Sequence, residues 1–150
     1  MPKIDVLDKG IIDSSPLTVY KAVLDEYSGR THWMPDSLTF KPRGGKPFDC
    51  VGAICDINGH SHGASAKFSV ELKKLVEGRL IEMELAGDFL GTETWTFEPT
   101  DGGTRVQLHW VGRTNKLLLS LFSPFLNVEK MHSDATQKGF KGCNSLLSKK

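Results

Sequence analysis

A strand-like run from Lys3 to Asp13 gives way to apolar positions at helical spacing, Val19, Tyr20, Val23, Leu24 and Tyr27. Ser14-Ser15-Pro16 between the two offers an N-cap serine and a proline at the first helical position, and Gly29 marks the stop. After Trp33-Met34-Pro35 the texture changes to short β-rich runs separated by Gly, Pro, Asn and Asp. The strands predicted there are Leu38 to Pro42, Val51 to Ile57, Ala64 to Val76, Leu80 to Ala86, Gly91 to Phe97 and Arg105 to Val111, seven with the first. From Lys116 the pattern is helical, with a turn around Leu117 to Phe122. Ser123-Pro124 repeats the cap chemistry of Ser15-Pro16, so a long helix is expected from Pro124, or a continuous helix kinked there.

The turn at Asp101-Gly102-Gly103-Thr104 allows a register to be proposed. A Gly102-Gly103 loop pairs Asp101 with Thr104, and then sets Phe97 opposite Leu108, Trp95 opposite Trp110 and Glu93 opposite Gly112. All of these lie on one apolar face. Ile81, Met83 and Leu85 join it from one strand and Phe68, Val70 and Leu72 from another, while Thr92, Thr94, Thr96, Arg105, Gln107 and His109 form the solvent face. The last helix is the available cover for the apolar face. Its inward stripe reads Val128, His132, Ala135, Gly139, Phe140, Cys143, Leu146 and Leu147. Ala135 and Gly139 are small where a tightly packed helix carries larger residues, which predicts open space against the sheet. His132 puts a polar group in an apolar stripe.

These features together resemble the START and polyketide cyclase/dehydrase-like superfamily, whose helix-grip fold is shared with the birch-pollen allergen. The resemblance rests on Ser15-Pro16-Leu17-Thr18-Val19-Tyr20 with Leu24-Asp25, on Trp33-Met34-Pro35, on Trp95-Thr96-Phe97-Glu98-Pro99 running into Gly102-Gly103-Thr104-Arg105-Val106, and on the terminal helix. It covers nearly the whole chain. It implies an α+β fold in which a curved seven-stranded antiparallel sheet wraps a long C-terminal helix, with short helices after the first strand and a ligand cavity between sheet and helix. It implies no common catalytic motif, and its members include lipid and steroid carriers, aromatic cyclases and chaperone-ATPase activators.

A length of 150 residues with no repeat or linker is read as one domain spanning 1–150, large enough to bury roughly 70% of its unfolded surface. Lys plus Arg number 19 against 18 Asp plus Glu, a balance that lacks the basic stripe nucleic-acid binding needs. No apolar run reaches the roughly 20 residues of a membrane span or forms a signal peptide, so a cytoplasmic location is expected. Cys50, Cys55 and Cys143 form neither an even framework nor a CxxC pair and are expected as free thiols. No cofactor is expected, and the pattern does not set an oligomeric state.

Glu93 and His132 are the candidate chemistry, one on the inward strand face and one on the inward helix face. If they meet, they form a general acid/base pair or a polar ligand anchor; otherwise Glu93 is a solvated rim residue and His132 a satisfied core histidine. His60 and His62 have metal-like spacing, with Asp56 as a recruitable third ligand, but Asn58-Gly59-His60-Ser61-His62-Gly63 reads more simply as an exposed hairpin turn. Arg43-Gly44-Gly45-Lys46-Pro47 reads as a surface loop, Ser15 as a cap, and Cys143 as an inert buried thiol. Trp33, Phe68, Met83, Trp95, Trp110 and Phe125, with His132, Ala135 and Gly139, are the expected wall of a small-molecule site. The function expected is binding or transport of a small hydrophobic molecule, a lipid, steroid or aromatic polyketide. The alternatives are a cyclase or dehydratase using Glu93 or His132, and an interaction module with a filled core.

Overall fold

The computed structural model describes residues 3–61, 64–115 and 127–148. Seven antiparallel strands form one sheet in the order β1-β7-β6-β5-β4-β3-β2. Their ranges are β1 Lys3–Ile12, β2 Leu38–Pro42, β3 Ile54–Ser61, β4 Ala64–Val76, β5 Leu80–Gly87, β6 Phe89–Thr100 and β7 Gly103–Thr114. Helix α1, Pro16–Tyr27, follows β1, and the long helix α2, Val128–Ser148, closes the order. The sheet curls around α2 in the helix-grip arrangement. The inner face buries Val70, Leu72, Ile81, Met83, Leu85, Trp95, Phe97, Val106, Leu108 and Trp110, against Phe140, Cys143 and Leu147 of α2.

Local chemistry accounts for the ends of the helices. Ser15 is extended, its hydroxyl accepts from the Thr18 N–H, and Pro16 occupies the position where no N–H is needed. The Asn127 side chain accepts from the Lys130 N–H at 2.9 Å and caps the described part of α2 in the same way. The expected helix start at Ser123-Pro124 and the turn at Leu117 to Phe122 lie outside the described residues.

Three expectations are corrected. The strand placed at Val51 to Ile57 begins later, at Ile54, because Val51 and Gly52 form a turn in which Gly52 adopts φ +95° and donates to the Leu72 carbonyl. It also continues through Asn58-Gly59-His60, read above as hairpin turn. Both edges of that backbone are paired, to β2 and β4, and Leu38 packs where a Gly59 side chain would stand. Pairing on two sides overrides the weak strand propensity of Asn and Gly.

The β6–β7 register is displaced by two residues: Phe97 faces Val106, Trp95 faces Leu108 and Glu93 faces Trp110. Thr100 pairs with Gly103, so the loop is Asp101-Gly102, with the Thr100 hydroxyl accepting from the Gly102 N–H. Gly103 is drawn into the strand at φ +130°, where a Cβ would stand 2.2 Å from the Ile12 carbonyl oxygen of β1. A displacement of two keeps every side chain on its face, so the inner face itself is as expected.

Gly139 does not leave space. A Cβ there would lie 2.3 Å from Met34 Sδ, and at Gly142 it would lie 2.2 Å from the Trp33 carbonyl oxygen. The Trp33-Met34 segment fills the groove that these glycines make. Glu26 holds that segment in place: although 1% exposed, its carboxylate accepts the N–H groups of Trp33 and Met34 and the Thr31 hydroxyl.

Candidate functional site

The remaining gap between sheet and helix lies further toward the N-terminal half of α2. It is a half-open cavity of about 360 Å³. Phe40, Ile57, Phe68, Phe89, Leu108 and Trp110 from the sheet side, and Val128, Met131 and Ala135 from α2, make its walls apolar. Ser37, His60, Ser65, Asp134 and Lys138 contribute the exposed polar lining. Tyr27, Glu93 and Thr136 are the buried polar lining, with His132 half-buried beside them.

Four expected wall residues line the cavity: Phe68, Trp110, His132 and Ala135. Trp33, Met83, Trp95 and Gly139 do not. They are buried in the packed core, where Trp33 and Trp95 meet edge to face with centroids 6.5 Å apart. Phe125 lies outside the described residues. The cavity wall thus forms around Val128 to Ala135 rather than around Gly139, because Met34 occupies the groove at Gly139 and itself lines the cavity edge.

Glu93 and His132 do meet, with His132 Nε2 4.0 Å from Glu93 Oε1. Glu93 is not a solvated rim residue; it is 5% exposed, since β6 runs on to Phe89 and places Glu93 within the strand rather than at its end. Its second oxygen, Oε2, accepts the Tyr27 hydroxyl at 2.8 Å, and that hydroxyl oxygen accepts from Trp95 Nε1 at 3.3 Å. Helix α1, β6 and α2 therefore each supply one member of a buried polar cluster.

Asp8 is a further member that the sequence reading passed over. It lies 3.7 Å from His132 Nδ1, accepts the Ser133 hydroxyl at 3.1 Å and the Gln137 amide at 3.4 Å, and is buried. The signal was present: Ile4, Val6, Asp8 and Ile12 share one phase of β1, so an aspartate stands at an inward position. Tyr27 was read only as part of the apolar face of α1, although a buried tyrosine hydroxyl needs a partner.

The electrostatics follow from this placement. Burial pushes the His132 pKa down, but the Asp8 and Glu93 carboxylates on either side outweigh it and raise the value above that of an ordinary histidine. Burial pushes the Asp8 carboxyl up, and His132, Gln137 and Ser133 together more than reverse this, leaving its pKa lowered. Burial, and then the Glu93 charge, hold Tyr27 well above the usual phenol value, so it stays a proton donor. The indole of Trp110 lies against the imidazole with centroids 5.2 Å apart.

The other chemical candidates are placed elsewhere. Cys50, Cys55 and Cys143 are free thiols, and burial pushes Cys55 and Cys143 up to about 12, which leaves them protonated and inert. Asp56 is held by Arg43 at 2.6 and 3.2 Å, and His62 lies outside the described residues. Among the described residues no group of His, Cys, Asp and Glu is arranged to hold a metal ion. Arg43–Gly45 forms a single exposed 3-10 turn. Among the described residues no helix is long and apolar enough to cross a membrane.

Several solved structures share this architecture. The KanY protein superposes with a TM-score of 0.75 at 11% identity, covering 99% of each chain. Ara h 8.0201 gives 0.70 at 11% identity, covering 99% of this chain and 100% of its own. TTHA0849 from Thermus thermophilus gives 0.69 at 19% identity, covering 95% of each. At these identities the likeness establishes the fold. No curated protein is similar enough in sequence to count as a relative. The family model described as polyketide cyclase/dehydrase and lipid transport matches residues 4–143, which takes in every element from β1 into α2, and the chain belongs to that family.

Proposed function

We propose that this protein binds a small, mainly apolar molecule between the sheet and α2, as a carrier or sequestering protein. The observation that supports this most is the cavity itself: about 360 Å³ of space behind aromatic and aliphatic walls, with its inner polar groups gathered around Glu93 and His132 and its other polar residues exposed. That volume is near the low end of the range for small-molecule sites, and favours a compact ring system or short chain over a large lipid. An interaction module with a filled core has no use for such a space.

A titration with N-phenyl-1-naphthylamine, an uncharged dye that brightens in apolar sites, tests the proposal. The expected result is saturable one-to-one binding that Ala135→Trp abolishes while the variant keeps its fold. Absence of binding to the unaltered protein, or binding unaffected by Ala135→Trp, contradicts it.

Catalysis as a cyclase or dehydratase is the second reading, and one feature favours it. Glu93 and His132 both line the cavity 4.0 Å apart, which places a proton acceptor and a proton donor at the same part of a bound ligand. Conversion of a bound poly-β-ketone, lost in Glu93→Gln and His132→Gln, would distinguish this from simple binding.

A further inference from the structure

We propose that the gap between Glu93 Oε1 and His132 Nε2 is a recognition site for a single uncharged hydroxyl group on the ligand. The inference rests on the reading of the cavity as a ligand site, and deepens it by naming the chemical group that is selected.

The two atoms are separated by 4.0 Å, too far for a direct hydrogen bond and close enough for one oxygen to reach both. The far side of each residue is already engaged. Glu93 Oε2 takes the Tyr27 hydroxyl, while His132 Nδ1 faces Asp8 at 3.7 Å and the Thr136 hydroxyl at 3.5 Å. With the imidazole protonated between Asp8 and Glu93, what remains toward the cavity is one acceptor, Oε1, and one donor, Nε2–H. A hydroxyl is the group whose one oxygen accepts from the imidazole while its hydrogen goes to the carboxylate.

Other polar groups fit less well. A ketone or ether accepts from His132 and leaves Glu93 Oε1 facing an unprotonated oxygen. An ammonium donates to Glu93 but has no lone pair to accept from His132 Nε2–H, which it leaves without a partner. A carboxylate is repelled most, because Asp8 and Glu93 around one imidazolium leave the cluster with a net negative charge, and the only Lys or Arg lining the cavity among the described residues is the exposed Lys138. Water can bridge the same two atoms when no ligand is bound, and a ligand hydroxyl reproduces its hydrogen bonds where a methyl ether does not.

Calorimetric titration at pH 7 with 2-naphthol, naphthalen-2-ylmethanol, 2-methoxynaphthalene and 2-naphthoate tests this, with the two alcohols separating phenolic from aliphatic sources of the hydroxyl. At least one alcohol is expected to bind about tenfold more tightly than the ether, with 2-naphthoate weakest. In Glu93→Gln, which turns the acceptor into an amide without the charge, the alcohol-to-ether ratio is expected to fall to about twofold or less and 2-naphthoate to gain affinity. Dye binding by this variant verifies its fold, and should it fail to fold, the ranking in the unaltered protein decides. An ether that binds as tightly as both alcohols, or a naphthoate that binds more tightly than they do, overturns the hydroxyl site while leaving the cavity reading intact. Failure of the dye and of all four naphthalenes to bind overturns both.

Discussion

Two buried glutamates show how differently the same side chain is used. The Glu26 carboxylate is surrounded by donors, the N–H groups of Trp33 and Met34 and the Thr31 hydroxyl, and serves to fix the segment that fills the groove over α2. Glu93 has one oxygen satisfied by Tyr27 and the other turned to the cavity. Removing each should therefore read out differently. Glu26→Ala leaves two main-chain N–H groups buried without partners and is expected to lower unfolding free energy by about 3 kcal/mol in a urea titration. Glu93→Gln should cost less stability than that and act chiefly on ligand choice. Tyr27→Phe removes a hydroxyl that links Glu93 to Trp95, and an expected loss of about 1–2 kcal/mol in the same titration measures that link. Equal losses from Glu26→Ala and Glu93→Gln would mean that Glu93, too, is purely structural.

At the scale of elements, α2 is shaped by what crosses it. Ala in place of Gly normally stabilises a helix by about 1 kcal/mol. At Gly142 the sign is expected to reverse, because the Trp33 carbonyl stands where the methyl would go and backbone cannot swing aside. Gly139→Ala should be milder, since the obstacle there is the Met34 thioether, and thermal unfolding of the two variants measures the difference. These glycines also mark where sequence and structure part. Their small size was legible along the helical stripe, but whether it left a void or admitted another segment depended on Trp33-Met34, brought there by Glu26 across a loop. The strand faces were legible in full because alternation survives a two-residue displacement, whereas the turn that set the displacement depended on the Thr100 hydroxyl and on contact between Gly103 and β1. Glu93 and His132 were readable as inward residues on separate elements. Asp8 was equally inward, yet its part in the site arises only from α2 lying over β1.

Across the molecule, β1, β6, α1 and α2 converge on one charged cluster, so folding stability should depend on its ionisation. His132 has a pKa raised in the folded state; its contribution is complete below the ordinary histidine value of about 6.5 and is lost as pH rises through the folded value. Asp8 has a pKa lowered on folding; its contribution is present above the ordinary carboxylate value of about 3.9 and is lost as pH falls through the folded value. The stability advantage of the protein over His132→Gln is therefore expected to be greatest between about pH 4 and 6.5 and to decline on both sides. Denaturant titrations at pH 5.5 and 8.5 give the alkaline half of that curve; a difference that stays flat would show that folding does not raise the His132 pKa, and one that grows with pH that the folded imidazole is held neutral.

The same convergence makes the cavity the centre of the account, with its apolar walls provided by sheet and helix and its inner polarity by Tyr27, Glu93, His132 and Thr136. Intermolecular nuclear Overhauser effects from bound N-phenyl-1-naphthylamine locate the occupant directly. The account predicts contacts to the Met131 and Ala135 methyl groups and to the Trp110 indole, on facing sides of one ligand; contacts confined to residues of the outer sheet face, such as Thr94 or Gln107, would contradict it.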